Sequence, residues 1–577
     1  MIRLPLHGIL LTLIVIASGR IQAQLLKNPG FETAGQTLVS TSDAPNGKAQ
    51  ISGTIAEGWL DNTGWADVSL VYSMNTANPH TGHSCQQIVI KRGFLQFAQP
   101  LQLSSGYYRA SVWMRADSPA WVSVSIRQGG APYASYAAHP AMIGSQWTRI
   151  EASGTVPKDE QTYLLINAES TGTIYVDDAE VAPSTARSVT LKPPTVPIPL
   201  SYFGFNINHM HDAVNIPWPA VPFGTYRTWD SGIVWALLEP KKGEFNWSRL
   251  DKDVAEAKKR GIQILLTLGF TPQWASSDPD NKTSAYGALG ATAPPADIND
   301  WKDFIRAVAT RYKGLIYGYE IWNEPDGAGF YSGTAAQLVP LEKAAREVLR
   351  VTDPAAVVVT PAPSSGNAIH SLKWMGDYFA AGGGKNADII GVHMYNTYPE
   401  DQVEGSALFH SLLTFYHMDK KPLWNTETGW GYDGKSTDEE TSAYVARAFV
   451  LNWATNYSRY CWYSWSEVSQ VGIRPDTQGK FKVLAPAAKA YVVVEKWLIG
   501  SKMLACGMDA KGIWTAALLH PDGSRAWILW CTGSAQSYIP SPLWKVKRSQ
   551  DLTGEVKSLS RQRTISVGPA PILLLTK

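Results

Sequence analysis

The feature that most constrains the fold is an alternation of short apolar stretches and longer amphipathic stretches between residues 200 and 502. Short apolar stretches predict strands, and amphipathic stretches of helical length predict helices. Eight strand candidates occur, at residues 202–207, 223–228, 262–268, 315–322, 356–361, 388–394, 422–427 and 460–465. Helix candidates fall between most of them and after the last, at residues 250–260, 298–312, 335–351, 371–381, 408–416, 439–456 and 487–498. Eight strand–helix units in a block of this length predict a (β/α)8 TIM barrel.

A doubly wound open sheet is the alternative arrangement for such an alternation. That fold commonly carries a glycine-rich phosphate-binding loop directly after its first strand. No such loop follows the candidate strand at residues 202–207. The barrel is therefore the favoured prediction.

The regions on both sides of this block have the pattern of β-domains. Residues 24–182 contain short alternating stretches, such as 107–114, 122–126 and 163–166, separated by Gly, Ser, Asn and Asp turns. No amphipathic helix of ordinary length interrupts them, which predicts a β-sandwich or jelly roll. Residues 503–577 are also strand-like, and we expect a small β-sandwich that packs against the barrel.

A proline-rich stretch separates the first β-domain from the barrel. Residues 183–199 contain five prolines: Pro183, Pro193, Pro194, Pro197 and Pro199. Such a stretch cannot continue a helix, so residues 183–199 are predicted to be a semi-rigid linker. The expected fold class is therefore multidomain, with a TIM barrel over residues 200–502 between two β-domains.

The first 23 residues have the organisation of an export signal. Arg3 supplies a positive charge, residues 9–17 are apolar, and Ile21-Gln22-Ala23 fits a cleavage site. A signal peptide over residues 1–23 predicts a secreted or periplasmic protein, with an uncleaved signal anchor as the alternative. In an oxidising compartment Cys506 and Cys531 could form a disulfide.

Charge and composition narrow the class of partner. Of the 51 basic residues, Arg3 and Arg20 fall in the first 23 positions, which hold no acid, so 49 basic and 49 acidic residues remain. A neutral chain is not expected to bind nucleic acid. No later stretch has the length and hydropathy that a bilayer span requires, so no integral membrane contact is expected. The 23 Trp and 25 Tyr residues suit a carbohydrate polymer or oligosaccharide, because aromatic faces stack on sugar rings.

Two glutamates stand where a barrel carries its catalytic groups, at the carboxyl ends of strands. The fourth candidate strand ends in Trp-Asn-Glu-Pro at 322–325, and the seventh ends in Trp-Asn-Thr-Glu-Thr-Gly-Trp at 424–430. Strands four and seven lie across a barrel from one another, so both carboxylates can face one sugar. Hydrolysis of a glycosidic bond needs an acid that protonates the leaving oxygen and a carboxylate that attacks the anomeric carbon. The sequence therefore predicts Glu324 and Glu427 as a catalytic pair.

These motifs resemble those of glycoside hydrolase clan A, the retaining (β/α)8 enzymes with glutamates at the ends of strands four and seven. The resemblance covers the whole central block and implies that Glu324 is the acid/base and Glu427 the nucleophile. Within the clan the chain is most similar to family 39, because a small β-domain follows the barrel and residues 243–247 read Gly-Glu-Phe-Asn-Trp. The run at 427–430 is also similar to families 17 and 53.

The resemblance also implies roles for residues around the pair. Arg227 matches the arginine beside the nucleophile, although a purely structural ion pair is the alternative. Tyr395 matches the tyrosine that donates to the nucleophile, and Asn323 matches the asparagine that contacts the sugar 2-hydroxyl. Trp465 matches an aromatic floor under the sugar.

Three further residues are candidates for substrate binding, namely His393, Trp274 and Trp430. For His393 a hydrogen bond to a backbone carbonyl is the alternative role. Trp274 fits a packing role as well as a wall of a sugar subsite. No catalytic metal or cofactor is expected, since no Cys/His spacing matches a zinc site.

The N-terminal region resembles carbohydrate-binding modules of the family 4 and 9 type. The resemblance rests on Leu-Lys-Asn-Pro-Gly-Phe-Glu at 26–32 and on Gly-Thr-Ile-Tyr-Val-Asp-Asp at 172–178. It implies a sugar-binding domain, for which an exposed face is expected on Trp59, Trp65 or Trp113, and a purely structural accessory domain is the alternative. It further implies a structural calcium ion near the two ends of the domain, held by Glu32 and Asp178.

Together these patterns predict a secreted retaining glycoside hydrolase that acts on β-linked sugars of a polysaccharide. A non-catalytic glycan-binding protein on a barrel scaffold is the alternative from another class. A transglycosylase, which passes the same covalent intermediate to a sugar, is a third possibility. The sequence leaves open the identity of the sugar, its linkage and whether cleavage is internal or terminal.

Overall fold

The computed structural model describes residues 25–577 except 45–46, 132, 186–187, 209, 212–215, 286, 367, 397, 431–435, 466–483 and 560–563. The predicted signal peptide lies outside the described residues. Within the described part of the chain, no helix has the length and apolar character needed to cross a membrane.

The N-terminal domain is a sandwich of two antiparallel-rich sheets, as predicted. Its strands are β1 Ala34–Ala44, β2 Gly47–Ala56, β3 Leu60–Asp61, β4 Val68–Asn75, β5 Cys85–Arg92, β6 Leu95–Leu103, β7 Gly106–Ala116, β8 Ala120–Gln128, β9 Ser135–Ile143, β10 Thr148–Val156, β11 Glu160–Ala168 and β12 Gly172–Pro183. One sheet has the order β1-β2-β4-β5-β12-β7-β10, and the other has the order β3-β6-β11-β8-β9. Alternate residues of each strand face the core between the sheets, which the period-2 sequence pattern requires.

The stretch predicted to be a linker contains one more strand. Strand β13, Val189–Leu191, pairs antiparallel with the first strand of the C-terminal domain, so this part is not a free spacer. The backbone N–H of Ile198 also donates to the carbonyl of Ser501 at 2.9 Å.

The central block folds into an eight-stranded parallel barrel, which confirms the predicted fold class. The strands are β14 Phe203–Asn206, β15 Thr225–Arg227, β16 Gln263–Leu268, β17 Gly318–Ile321, β18 Val357–Val359, β19 Ile390–His393, β20 Leu423–Thr428 and β21 Tyr457–Trp462. Their order is β18-β17-β16-β15-β14-β21-β20-β19, and a parallel bridge between Val359 and Ile389 closes the ring. Nearly all strand residues are buried, because parallel strands in a barrel are covered on both faces.

Helices cover the outside of the barrel. They are α1 Trp235–Leu238, α2 Ser248–Arg260, α3 Ile298–Arg311, α4 Ala335–Thr352, α5 Ile369–Ala380, α6 Asp401–Phe415, α7 Asp438–Ala454 and α8 Pro486–Leu498. Most begin within two residues of the predicted start. The exception is α6, which begins at Asp401 rather than at residue 408. Its first turns bury Gln402, Gly405 and Ser406, so polar side chains occupy the inner face and conceal the helical period.

The C-terminal domain is a second β-domain built on one sheet. Its strands are β22 Lys502–Met508, β23 Ile513–Leu519, β24 Arg525–Cys531, β25 Gln536–Tyr538, β26 Arg548–Gln550, β27 Val556–Ser558, β28 Ile565–Val567 and β29 Ile572–Leu575. The main sheet has the order β13-β22-β23-β24-β29-β26-β27, and β25 pairs with β28.

The disulfide considered between Cys506 and Cys531 does not form. Both thiols are buried and unpaired. Cys506 lies on β22 and Cys531 on β24, with β23 between them. Strands are about 4.8 Å apart, so the two Cα atoms are beyond the ~7 Å that a disulfide tolerates.

Candidate active site

Glu324 sits just beyond the carboxyl end of β17, on a turn that directs its side chain into the mouth of the barrel. Trp322 and Glu324 both adopt positive φ angles, of 80° and 43°. The turn is held by backbone hydrogen bonds from Trp322 to Leu268 O at 2.8 Å and from Glu324 to Ala362 O at 2.9 Å. Residues other than glycine rarely adopt positive φ angles, because the conformation is strained. Where such strained residues occur, they are often found at functional sites.

Glu427 is the penultimate residue of β20, and it is bound through both carboxylate oxygens. Arg227 Nη1 donates to Oε2 at 2.7 Å, and the Tyr395 hydroxyl donates to Oε1 at 2.8 Å. Arg227 ends β15 and Tyr395 follows β19, so the ends of two other strands hold this one carboxylate. The sequence-derived roles of Arg227 and Tyr395 beside Glu427 match this geometry.

Arg227 is fully buried and binds more than the candidate nucleophile. Its Nε and Nη2 atoms lie 2.8 and 2.7 Å from Glu320 Oε2, and Nη2 donates to Asn323 Oδ1 at 2.7 Å. Nη1 also donates to Asn206 Oδ1 at 3.2 Å. A guanidinium inside a barrel core is tolerated only when carboxylates and amide oxygens satisfy its donors, which this set does.

Glu324 contacts His393 at the end of β19. Glu324 Oε1 lies 2.8 Å from His393 Nδ1, and His393 is completely buried. Burial lowers the pKa of His393 to about 4, so the ring is neutral at ordinary pH. The contact is therefore a hydrogen bond with the carboxyl group and not a charge pair. The alternative bond from His393 to a backbone carbonyl is not formed among the described residues.

The two carboxylates are close and titrate at different pH. One oxygen of each lies within 4.8 Å of the other. Burial raises the pKa of Glu324 to about 8, and the charge of Asp326 adds to the effect. Burial also raises the pKa of Glu427, to about 7, although the charge of Arg227 opposes that rise. At Glu427 the effect of burial on the pKa therefore exceeds the opposing effect of Arg227, and Glu324 has the higher pKa of the two.

Glu324, His393 and Glu427 each present a ligand atom at spacings that a metal ion could bridge. A cation already occupies the position beside this group, because the guanidinium of Arg227 lies 2.7 Å from Glu427. A second positive charge would be repelled there at short range. The guanidinium of Arg227 thus supplies a positive charge beside Glu427 without a metal ion.

Several buried polar atoms around the pair have no hydrogen-bond partner among the described residues. They are Asn206 Nδ2, Glu320 Oε1, Asn323 Nδ2, His393 Nε2 and Trp465 Nε1. An unpaired buried polar atom costs about 1–3 kcal/mol, so such a cluster needs an explanation. Hydroxyl groups of a bound sugar both donate and accept, and they can satisfy amide, imidazole and indole groups alike.

The three tryptophans proposed from the sequence have different surroundings. Trp465 follows β21, is buried, and packs against Phe205 with ring centroids 5.3 Å apart. Trp430 is half-buried and stacks on Tyr444 at 4.5 Å. Trp274 donates its indole N–H to Glu239 O at 2.9 Å and packs edge-on against Trp235. Trp274 thus contacts the segment that follows α1, whereas Trp465 and Trp430 lie beside the ends of β21 and β20.

Sequence reasoning missed other acidic residues near the pair. Glu320 lies on β17, four positions before Glu324, and its side chain bonds Arg227 inside the barrel. A glutamate between apolar residues of a buried strand was the sequence signal that could have identified it. Asp230 follows β15 with a φ of 63° and accepts a hydrogen bond from Tyr463 at 2.6 Å. Its negative charge raises the pKa of both Glu324 and Glu427. No sequence motif distinguishes Asp230, so only the structure shows that it lies near the two glutamates.

The calcium ion implied for the N-terminal domain has a suitable donor set. A Cβ added to Gly30 would lie 3.7 Å from Asp178 Oδ1 and 4.0 Å from Glu32 Oε1, so both carboxylates lie near Gly30. Calcium prefers such oxygen ligands. Asp178 also contacts the ring of His80 at 2.6 Å and the hydroxyl of Thr81 at 2.8 Å, which fixes its orientation.

Comparison with known proteins places the barrel among carbohydrate-active enzymes. The model of the cellulase family, glycosyl hydrolase family 5, matches residues 221–469. The resemblance to clan A is confirmed. The chain is also similar in fold to a solved family 39 glycoside hydrolase from the gut symbiont Bacteroides cellulosilyticus WH2, with a TM-score of 0.53 at 15% identity. That match covers 79% of this chain and 95% of the other.

The matches to curated relatives cover smaller parts of this chain. A β-xylosidase of Geobacillus stearothermophilus is 24% identical over 256 residues, which is 39% of this chain and 49% of the relative. Endo-1,4-β-xylanase 1 of Gibberella zeae is 26% identical over 129 residues, which is 21% of this chain and 33% of the relative. The chain therefore spans half or less of the length of these curated relatives.

Proposed function

We propose that this clan A chain is a retaining glycoside hydrolase that cleaves β-glycosidic bonds of an extracellular polysaccharide or its oligosaccharides. The observation that carries the proposal is the carboxylate pair. Oxygens of Glu324 and Glu427 lie within 4.8 Å of each other. Retaining enzymes place their carboxyl groups roughly 5–5.5 Å apart and inverting enzymes roughly 6.5–9.5 Å apart.

In the first step Glu427 attacks the anomeric carbon while Glu324 gives its proton to the glycosidic oxygen. The bond between that oxygen and the anomeric carbon breaks, the leaving sugar departs as an alcohol, and a glycosyl ester forms on Glu427. The proton is available because burial raises the pKa of Glu324 to about 8. Arg227 and Tyr395 orient the attacking carboxylate through its two oxygens.

In the second step the roles reverse at Glu324. Esterification removes the negative charge of Glu427, so the pKa of Glu324 falls and its carboxylate can accept a proton from water. The water oxygen bonds to the anomeric carbon, and the Glu427 carboxylate leaves. Two inversions restore the β-configuration. If a sugar hydroxyl replaces the water, the same intermediate gives transglycosylation.

Asn323 and Trp465 supply binding contacts in this mechanism. Asn323 Oδ1 is fixed by Arg227, which leaves its buried Nδ2 to donate to a sugar oxygen, and the 2-hydroxyl is the position implied by the resemblance. Such a bond strengthens as the transition state develops. Trp465 supplies an apolar face and an indole N–H beside the same position.

Proton NMR of the first product tests the mechanism. The relatives are named β-xylosidase, xylanase and cellulase, so xylosides, xylan, glucosides and cellulose come first in a panel of defined β-glycans. On the substrate that turns over, we expect the β-anomer before mutarotation. A first-formed α-anomer would refute the double-displacement mechanism, and no turnover of any β-glycan would favour a glycan-binding scaffold.

We also propose that the protein is exported and that the N-terminal domain binds glycan with a structural calcium ion. The export proposal is supported by the pattern of residues 1–23, and N-terminal sequencing of the protein from culture supernatant tests it. The calcium proposal is supported by Glu32 and Asp178 beside Gly30. Chelation should lower the melting temperature of the wild type but not of Asp178→Asn, because that variant has already lost the charged ligand.

A further inference from the structure

The segment that follows β19 carries Tyr395, which bonds Glu427, and the next residues of the same segment contact other parts of the molecule. Asn396 donates to Met394 O at 3.0 Å and to Gln402 Oε1 at 3.1 Å. Tyr444 of α7 donates to Asn396 O at 2.8 Å. Residues 395–406, of which 397 is not described, therefore form one hydrogen-bonded unit that ends in the first turns of α6.

The C-terminal domain holds this segment through Trp530. The indole N–H of Trp530 donates to Glu400 Oε1 at 2.7 Å. Trp530 is fully buried and stacks on Trp514 with centroids 5.5 Å apart and an interplanar angle of 2°. The side chain of Glu400 is 12% exposed and also lies 3.4 Å from Arg447 of α7. A carboxylate this buried depends on its donors, since a hydrogen bond to a charged group contributes about 1.5–3 kcal/mol.

The N-terminal domain contacts the same segment more weakly. His139 Nδ1 lies 2.9 Å from Glu404 Oε1, but both side chains are more than one-third exposed. Exposed pairs of this kind contribute about 0–1 kcal/mol. The contact through Trp530 is therefore the stronger of the two.

We propose that Trp530 is a positioning residue that fixes the segment 395–406 and thereby places Tyr395 against the nucleophile. The expected change in kcat rests on the proposed function, whereas the effect of Trp530 on the segment 395–406 does not. Trp530 holds Glu400, the residue before α6, and Gln402 in the first turn of α6 accepts from Asn396, the residue after Tyr395. A rigid element that joins two sites in this way is the physical basis for coupling between them.

The variant that tests the proposal is Trp530→Phe, which keeps an aromatic ring on Trp514 and removes the N–H. We expect kcat to fall several-fold with a smaller change in KM, because a displaced Tyr395 affects the reacting carboxylate more than sugar binding. Loss of the tyrosine donor disfavours ionised Glu427 and should move the acid limb of the pH profile upward. Glu400→Gln, which keeps an acceptor for the indole, should stay close to wild type, whereas Glu400→Leu should resemble Trp530→Phe.

The matched control is Trp527→Phe on the same strand. Trp527 faces the other side of β24 and stacks on Trp544 at 4.6 Å, so it is a stacked tryptophan of the same strand without the contact with Glu400. We expect its kcat and pH profile to be unchanged. In a Tyr395→Phe background, Trp530→Phe should have no further effect on kcat. An additive loss there, or an equal loss in the control, would mean a general structural role and would overturn the proposal.

Hydrogen exchange separates this inference from the proposed function. Amides of residues 395–406 should exchange faster in Trp530→Phe than in Trp527→Phe, whether or not a substrate has been found. Unchanged exchange in that segment overturns the inference and leaves the glycosidase proposal intact. Faster exchange in a protein that cleaves no β-glycan supports the contact and counts against the proposed function alone.

Discussion

The side chain of Arg227 donates to four side chains at the base of the candidate site, and two of them are carboxylates. Glu320 provides the buried counter-charge, so the nucleophile candidate Glu427 need not neutralise the arginine alone. Removing one member of such a buried pair typically costs about 3–5 kcal/mol, which explains why the arrangement is rigid. Rigidity matters because the attacking oxygen must be aimed before the sugar arrives.

The pH dependence of activity follows from the two raised pKa values. Activity requires ionised Glu427 and protonated Glu324. With a pKa of about 7 for Glu427 and about 8 for Glu324, kcat/KM should rise as the pH increases through the first value and fall through the second. A bell-shaped profile with a maximum on the alkaline side of neutrality is expected. Maximal activity near pH 4 would show that burial affects the two groups less than the structure indicates.

The role of Glu427 is tested by Glu427→Gln, which is nearly isosteric. We expect turnover to fall by several orders of magnitude with folding and glycan binding nearly intact, since an amide cannot form the glycosyl ester. Glu495→Gln serves as the control, because Glu495 is a buried glutamate on α8 away from the site. Circular dichroism and binding isotherms check the fold. More than a tenth of wild-type activity in Glu427→Gln would refute the assignment.

At the scale of single residues, the sequence predicted those that lie in motifs. Glu324, Glu427 and Asn323 stand in short runs at strand ends, and Arg227 and Tyr395 were placed by the resemblance. For Trp274 the two roles stay open, because a packed indole and a subsite wall look alike in a sequence. Asp230 and Tyr463 meet from distant parts of the chain, and no local pattern indicates such a contact.

At the scale of elements, each predicted barrel strand overlaps an observed one. Most of these strands are rich in apolar residues, because they are covered on both faces. Helix α6 was predicted too short because its first turns bury polar residues that bond to Asn396 and Ser406. The positive φ angles of Trp322 and Glu324 also have no sequence signal, since neither residue is glycine.

Helix α7 gives a prediction at this scale, because its start is fixed by a capping box. Glu440 N–H donates to the Thr437 hydroxyl at 3.2 Å, and Thr437 N–H donates to Glu440 Oε2 at 2.8 Å. Thr437→Ala should lower the free energy of unfolding by about 1 kcal/mol, the usual value of such a cap. Thr437→Ser keeps the hydroxyl and should lose much less. Thermal unfolding measures the difference, and kcat should be equal in both variants, because neither touches the site.

At the scale of the whole molecule, the N-terminal domain is docked on the barrel and not only connected through the linker. Trp121 of β8 packs against the barrel core, and Tyr398 packs against the core of the sandwich. Strand β13 of the linker region adds to the C-terminal sheet. The composition of residues 183–199 indicated the boundary but not these contacts, because proline content predicts local stiffness and not what packs nearby.

Deleting residues 24–182 would expose this interface, so a loss of activity in such a variant would not by itself show glycan binding. A surface substitution separates the two effects. Of the three tryptophans considered, Trp59 is buried, Trp113 is half-buried and stacked on His80, and Trp65 is 59% exposed. Trp65 is thus the one that offers a free aromatic face to a sugar ring.

Trp65→Ala should weaken binding of the full chain to insoluble polysaccharide several-fold and leave kcat/KM on small soluble glycosides unchanged. The reason is that tethering raises the local concentration of the barrel on a solid substrate without altering the chemistry. Val39→Ala, at an exposed position of the same domain, is the control and should bind as the wild type does. Pull-down on insoluble glycan and hydrolysis of a soluble aryl glycoside are measured on the same preparations. Unchanged binding by Trp65→Ala would mean that the sandwich braces helices α5 and α6 of the barrel and does not hold glycan through this face.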